Sequence, residues 1–177
     1  MRGEFDIADT WLGYEIHPET PPEGADVSGW LDSDSREQMT EMLHSRSAEL
    51  GLPYAPAPIL ANSRLALAAA EYARDQGRFP EFHKGMLEAV FTHGRNIGER
   101  EEIAKAAKRA GLDAEETLRS IDENRYQEQL KQAAYLGRQL GITGVPTFIV
   151  NSRYKIVGAQ SLDIFREIFR KAEGSEA

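Results

Sequence analysis

Apolar residues recur at helical spacing through most of the chain, and runs typical of strands occur only near its two ends. In the helical stretch, Ser, Asn or Asp repeatedly stands three residues before Glu or Gln, which is the pattern of a helix N-terminus. Glycines follow several of these stretches, as expected at helix ends. The pattern predicts helices from Ser35 to Leu50, from Asn62 to Gly77, over 79–91, from Asn96 to Gly111, and from Asp113 to about Leu136.

The two ends of the chain predict strands. Residues 5–16 (FDIADTWLGYEI) are rich in strand formers, although their alternation slips near Asp9. Near the other end, 147–150 and 154–157 flank a short turn and predict a β-hairpin, followed by a helix that Ser161 caps. Because a lone hairpin is marginal in water, we expect the strands of the two ends to pair. Residues 1–24 and 138–177 would then form one discontinuous α/β domain, and residues 25–137 a helical insertion.

Charge and hydropathy exclude several classes of function. The chain has 177 residues, a net charge of −8 and a pI near 5.1. Nucleic acids and anionic membranes favour basic surfaces, so we expect neither as a partner. No apolar run approaches the roughly 20 residues of a membrane span. The first residues lack the apolar core of a secretory signal, and the cytoplasm is the expected location.

Side chains that commonly carry chemistry are sparse. There is no cysteine, which excludes disulfides, thiolate metal sites and a cysteine nucleophile in this chain. None of the histidines (His17, His44, His83 and His93) has the spacing of a zinc motif. No nucleophile elbow or phosphate-binding loop is present either. We therefore predict no catalytic residue, no metal and no cofactor.

Pro146, in the stretch GVPTFIV, is the one position that suggests a binding site. A proline at a strand start cannot donate to a sheet ladder, and X-Pro bonds alone adopt the cis form at modest cost. A cis bond here would let the backbone of Val145 pair with an extended partner segment. A trans proline at a strand entrance fits the local sequence as well.

Five stretches carry a resemblance to a known family: YEIHPETPPEG, NSRLALAAAEYARDQG, FHKGMLEAVF, NIGEREEIAKAAKRAGLD and GITGVPTFIVNSRYKIVGAQ. In this order they resemble the DsbA-like thioredoxin-fold family, and within it the cytoplasmic FrnE-type branch. The resemblance implies a thioredoxin-like α/β fold interrupted by a large all-helical insertion. It also implies that Pro146 is cis.

The family resemblance implies thiol–disulfide exchange with extended protein or peptide thiols. In such proteins a Cys-x-x-Cys pair begins the first helix, where a thiolate attacks the partner disulfide. The cis-proline loop holds the substrate strand beside that pair, so Val145, Pro146 and Thr147 are the implied substrate-binding residues. The present sequence departs from the pattern, because it has no cysteine and its first predicted strand corresponds to the family's second.

We therefore expect the N-terminal βα unit to be missing and this chain to lack dithiol activity. Either the chain is a truncated form of a redox protein, or a short form exists with a different role. A well-folded short form should cover its open sheet, for example as a homo-oligomer. Two other functions stay open: a non-catalytic peptide-binding module, and a relative of kappa-class glutathione transferases and hydroxychromene-carboxylate isomerases.

Overall fold

The computed structural model describes residues 1–30 and 32–174, and this part of the chain contains four short strands and seven helices, five of which follow one another directly. The strands are β1 (Ala25–Asp26), β2 (Ile59–Leu60), β3 (Thr147–Val150) and β4 (Tyr154–Val157). The helices are α1 (Ser33–Glu49), α2 (Arg64–Asp75), α3 (Phe79–Phe91), α4 (Arg100–Arg109), α5 (Ala114–Asp122), α6 (Gln127–Gln139) and α7 (Leu162–Glu173).

Internal contacts divide the chain into two units. We call residues 1–16 and 133–177 the hairpin unit and residues 17–132 the helical unit. The sequence places the boundaries of independently folding domains after residue 24 and before residue 138, and these boundaries stay a prediction. Residues 31 and 175–177, which fall in the predicted domains, lie outside the described part of the chain.

The apolar core lies in the helical unit, where α2, α3, α4 and α5 pack on one another. Small residues let these helices approach closely: a Cβ built at Gly85 of α3 would lie 3.5 Å from the Cβ of Ala106 in α4. Phe82 and Ile103 are fully buried between them. Burying one such side chain contributes about 1.5–3 kcal/mol, and the core therefore accounts for much of the stability of this unit.

The predicted helices form, with different first residues for some of them. Asp113 caps α5, where its side chain accepts hydrogen bonds from the amides of Glu115 and Glu116. Asp32, rather than Ser35, caps α1. The predicted helix from Asp113 to Leu136 is wrong in one respect, because it splits into α5 and α6. Asn124 between them has a positive φ of 52°, which a continuous helix cannot contain.

The predicted strand over residues 5–16 is wrong, and so is its pairing with the hairpin. These residues form no strand in the structure. The start of the chain turns back on itself, since the amides of Glu4 and Phe5 donate to the carbonyl of Met1. Phe5 then packs edge-on against Phe169 of α7, with ring centroids 5.3 Å apart. Side-chain packing on a helix replaces the backbone pairing that the strand would need.

The hairpin of β3 and β4 is confirmed. Its antiparallel register pairs Thr147 with Val157 and Phe148 with Ile156. The turn between the strands places Asn151 and Ser152 at φ of 47° and 54°, a conformation that Asn adopts more readily than most residues. Within the described residues this sheet has two strands, and β1 and β2 form a separate two-stranded sheet.

Candidate binding loop

The three predicted substrate-binding residues form a loop at the start of β3, called here the Pro146 loop (Val145–Thr147). The peptide bond between Val145 and Pro146 is cis. Val145 is 55% exposed, Pro146 is also exposed, and Thr147 is half-buried. The structure thus brings the three residues to the surface of the hairpin unit.

Two hydrogen bonds hold the Pro146 loop on either side of Val145. The hydroxyl of Thr147 donates to the carbonyl of Gly144 over 2.6 Å. The amide of Gly158, after β4, donates to the carbonyl of Pro146 over 2.7 Å. Gly158 has a φ of 81°, which a residue with a Cβ rarely adopts, and so the sequence requires glycine there.

The backbone of Val145 itself is left without a partner. Neither its N–H nor its C=O makes a hydrogen bond to any residue in the described part of the chain. Exposed backbone groups of this kind pair with water or with an extended ligand. The loop therefore presents one donor and one acceptor from a backbone that its neighbours hold in place.

Packing on α7 supports the hairpin behind the loop. Phe148 meets Phe165 edge-to-face with ring centroids 4.9 Å apart, a geometry that stabilises aromatic pairs by about 0.5–1.5 kcal/mol beyond area burial. Ile156, opposite Phe148 on β4, is only 4% exposed. The other face of the hairpin, with Ile149 and Val157, is open and lies on the same side as Thr147.

Lys155 links β4 to the turn that precedes the loop. Its Nζ donates to the carbonyl of Leu140 over 3.1 Å, just beyond the last residue of α6. Carbonyls at a helix C-terminus lack helical partners, and a lysine is well suited to them in both hydrogen bonding and charge. The sequence pattern gave no sign of this contact, because the two residues lie 15 positions apart.

The other family-like segment, His17–Gly24, lies on the helical unit and is held there by asparagines. The side chain of Asn62 donates to the carbonyl of Thr20 over 2.6 Å, and that of Asn96 donates to the carbonyl of Glu23 over 3.2 Å. Thr20 is buried. Both asparagines were predicted as helix caps, but Ser63 and Glu99 occupy the cap positions.

No second constellation competes with the Pro146 loop within residues 1–30 and 32–174. His44 and His83 contact aromatic rings and His17 contacts the carboxylate of Glu19, and no group of three or more metal-ligating side chains is present there. Two clefts of about 430 and 530 Å³ are lined by residues 2–7 and by α7, not by the loop. In the same part of the chain, no helix is both long and apolar enough to cross a bilayer.

Solved structures similar to this one share its fold. A probable DsbA oxidoreductase from Streptomyces coelicolor matches with a TM-score of 0.81 at 21% identity, over 90% of this chain and 72% of that chain. A 2-hydroxychromene-2-carboxylate isomerase matches with a TM-score of 0.67 at 16% identity, over 76% of this chain and 66% of that chain. The predicted DsbA-type thioredoxin fold is therefore confirmed.

Sequence comparisons give the family. The uncharacterized protein YwbO of Bacillus subtilis is 26% identical over 168 residues, which is 92% of this chain and 80% of that protein. The thiol:disulfide interchange protein DsbA of Pseudomonas aeruginosa is 28% identical over 75 residues, 42% of this chain and 36% of DsbA. The model of the DSBA-like thioredoxin domain matches residues 10–170. This chain belongs to the DSBA-like thioredoxin domain family.

Proposed function

We propose that this protein takes part in thiol–disulfide exchange by binding extended segments of protein or peptide thiols at the Pro146 loop. The observation that carries the proposal is the backbone of Val145, which is exposed and unpaired while the bonds of Thr147 and Gly158 hold the loop around it. Family membership supports the same reaction class. The FrnE-type branch and a cytoplasmic location belong to this proposal.

The chain supplies binding and not the redox step. Thiol–disulfide exchange needs a thiolate that attacks a disulfide sulfur, and no side chain of this sequence is a thiol. In an insulin-reduction assay with dithiothreitol, we expect the chain alone to give the rate of the uncatalysed background. Turnover above that background would overturn this part of the proposal.

Binding can be measured by fluorescence anisotropy with a labelled, thiol-alkylated unfolded protein as the probe. Val145→Pro removes the N–H that we propose donates to the bound segment, and we expect the variant to bind the probe at least tenfold more weakly. Thr143→Pro is the matched control, because it removes the amide of an exposed residue two positions away and should leave the affinity within about twofold. Equal binding by both variants, or none by the parent chain, would contradict the proposal.

Glutathione binding is a second candidate, favoured by the likeness to the 2-hydroxychromene-2-carboxylate isomerase. At 16% identity that likeness concerns the fold alone. If the candidate is correct, millimolar glutathione raises the melting temperature of the chain. An unchanged melting temperature would exclude it.

A further inference from the structure

Two side chains tie the turn between α6 and the Pro146 loop to other parts of the hairpin unit. The hydroxyl of Tyr14 donates to the carbonyl of Ile142 over 3.3 Å. The ammonium of Lys155 donates to the carbonyl of Leu140 over 3.1 Å. One donor comes from near the start of the chain and the other from β4, so segments that are distant in sequence converge on one turn.

The ring of Tyr14 is placed by its packing on α6. Of the described residues of α6, Gly137 alone is buried, and a Cβ at this position would overlap the Tyr14 ring. Tyr14 itself is half-buried. Because the packed ring has already lost rotamer freedom, its hydroxyl reaches the carbonyl of Ile142 at little further cost in side-chain entropy.

Lys155 meets the C-terminus of α6 with charge as well as with a hydrogen bond. The helix ends at Gln139, and the last carbonyls of a helix lack helical partners and carry partial negative charge. A hydrogen bond from an ammonium group is stronger than one between neutral groups. Lys155 is exposed, and salt therefore screens part of this contact.

These two contacts differ in kind from the bonds of the loop itself. The hydroxyl of Thr147 bonds to Gly144 three residues back, which sets the shape of the loop but not its position in the hairpin unit. The amide of Gly158 fixes the loop on the side that follows Val145. The two side chains on the turn fix the side that precedes it, and Val145 is thus held from both directions.

We propose that Tyr14 and Lys155 are positioning residues for the Pro146 loop, which hold the turn before it so that the N–H of Val145 is directed at the bound segment. This inference rests on the proposed function, because it concerns the same backbone group. In this role neither side chain needs to touch the bound segment. A chain that loses either contact keeps its loop sequence but must order the loop when it binds, and ordering costs affinity.

The hydroxyl of Tyr14 can be removed without removing the ring. We expect Tyr14→Phe to bind the thiol-alkylated unfolded probe about three- to tenfold more weakly, the range expected for the loss of one hydrogen bond. Tyr135→Phe is the matched control, because Tyr135 is a 60% exposed tyrosine of α6, and its affinity should stay within about 1.5-fold. If Tyr14→Phe weakens binding no more than Tyr135→Phe does, the proposal is wrong.

The charge of Lys155 is tested by salt and by a conservative variant. We expect Lys155→Met to weaken binding about three- to tenfold in dilute buffer and by a smaller factor in about 1 M salt, where the charge is screened. Lys155→Arg should recover most of the affinity, and Lys131→Met, at an exposed lysine of α6, should bind as the parent chain does. A loss that salt leaves unchanged, or that arginine does not recover, would contradict the role of the charge.

NMR of the chain without probe separates this proposal from the proposed function. We expect Tyr14→Phe and Lys155→Met to shift the amide resonance of Val145 and to lower its order parameter, which reports backbone motion. Tyr135→Phe should leave that resonance in place. If the probe does not bind the parent chain, the proposed function falls, while the free chain still decides whether the two side chains position the loop. An unchanged Val145 resonance in either variant would overturn the proposal.

Discussion

Phe82 shows how much of the fold rests on single side chains in the helical unit. Its side chain is fully buried in α3, whereas Phe91 at the end of the same helix is 54% exposed. Replacing a buried phenylalanine by alanine removes apolar contact and leaves a cavity. We expect Phe82→Ala to lower the free energy of unfolding by about 3–5 kcal/mol and Phe91→Ala by less than about 1 kcal/mol. Urea denaturation measures both, and equal losses would show that the core is not where we place it.

His83 makes the stability of the helical unit depend on pH. Its ring stacks on Phe79 at 5.2 Å. Burial, and secondly the charge of Arg74, lower the pKa of His83 below its ordinary value of 6.5. The unfolded chain therefore binds a proton more readily than the native one, and stability decreases as the pH falls below about 6.5.

The variant His83→Phe should remove that part of the pH dependence. We expect the difference in melting temperature between pH 7.5 and pH 5.5 to be smaller in His83→Phe than in the parent chain. His93→Gln, at an exposed histidine, controls for the loss of one imidazole. An unchanged pH dependence in His83→Phe would contradict the assignment.

At the scale of elements, Gly137 shows that a helix can require a glycine for packing. A Cβ at Gly137 in α6 would lie 2.3 Å from the ring of Tyr14. In an exposed helix, Gly→Ala stabilises by about 1 kcal/mol. We expect the opposite sign for Gly137→Ala, because the ring of Tyr14 must move. In a Tyr14→Ala background the same change should stabilise the chain. Chemical denaturation of the parent chain, the two single variants and the double variant measures the effect of Gly137→Ala on the free energy of unfolding with and without the Tyr14 ring. A Gly137→Ala single variant that is more stable than the parent chain would contradict this contact.

Some helices could be predicted from the sequence pattern, whereas the break at Asn124 and the absence of a strand near the start of the chain could not. Helical periodicity and the glycines that follow the helices were sufficient to predict α2, α3 and α4, because those signals are local. The break at Asn124 was missed, since the pattern continues in register on both sides of it. Residues 5–16 have the composition of a strand, but a strand exists only with a partner, and here Phe5 packs on α7 instead.

The candidate loop was predictable only in part. Val145, Pro146 and Thr147 were identified from a short motif and a family resemblance, and the structure places all three at one exposed loop. The bonds that hold this loop, from Thr147 to Gly144 and from Gly158 to Pro146, depend on the hairpin register. The turn of a hairpin fixes its register, but it does not fix the conformation of the residues before the strand, and so the bond from Thr147 to Gly144 could not be predicted from the local pattern.

At the scale of the whole molecule, burial and charge are unevenly distributed. The buried apolar cluster consists of residues of the helical unit, which also carries the excess of acidic side chains. The described residues of the hairpin unit carry equal numbers of basic and acidic side chains, and large apolar side chains among them are exposed, including Val145, Ile149 and Val157. The buried core thus lies in the helical unit, whereas the Pro146 loop, on which the proposed function depends, lies on the hairpin unit.

The most direct test of the account is the NMR signal of the Val145 amide during titration with the thiol-alkylated unfolded probe. If the Pro146 loop binds extended chains through its backbone, the amide resonance of Val145 shifts saturably and its hydrogen exchange slows. Resonances of the helical unit, such as those of Phe82 and Ile103, should stay in place. A titration in which the Val145 amide resonance does not shift while the probe binds would contradict binding through the backbone of the Pro146 loop.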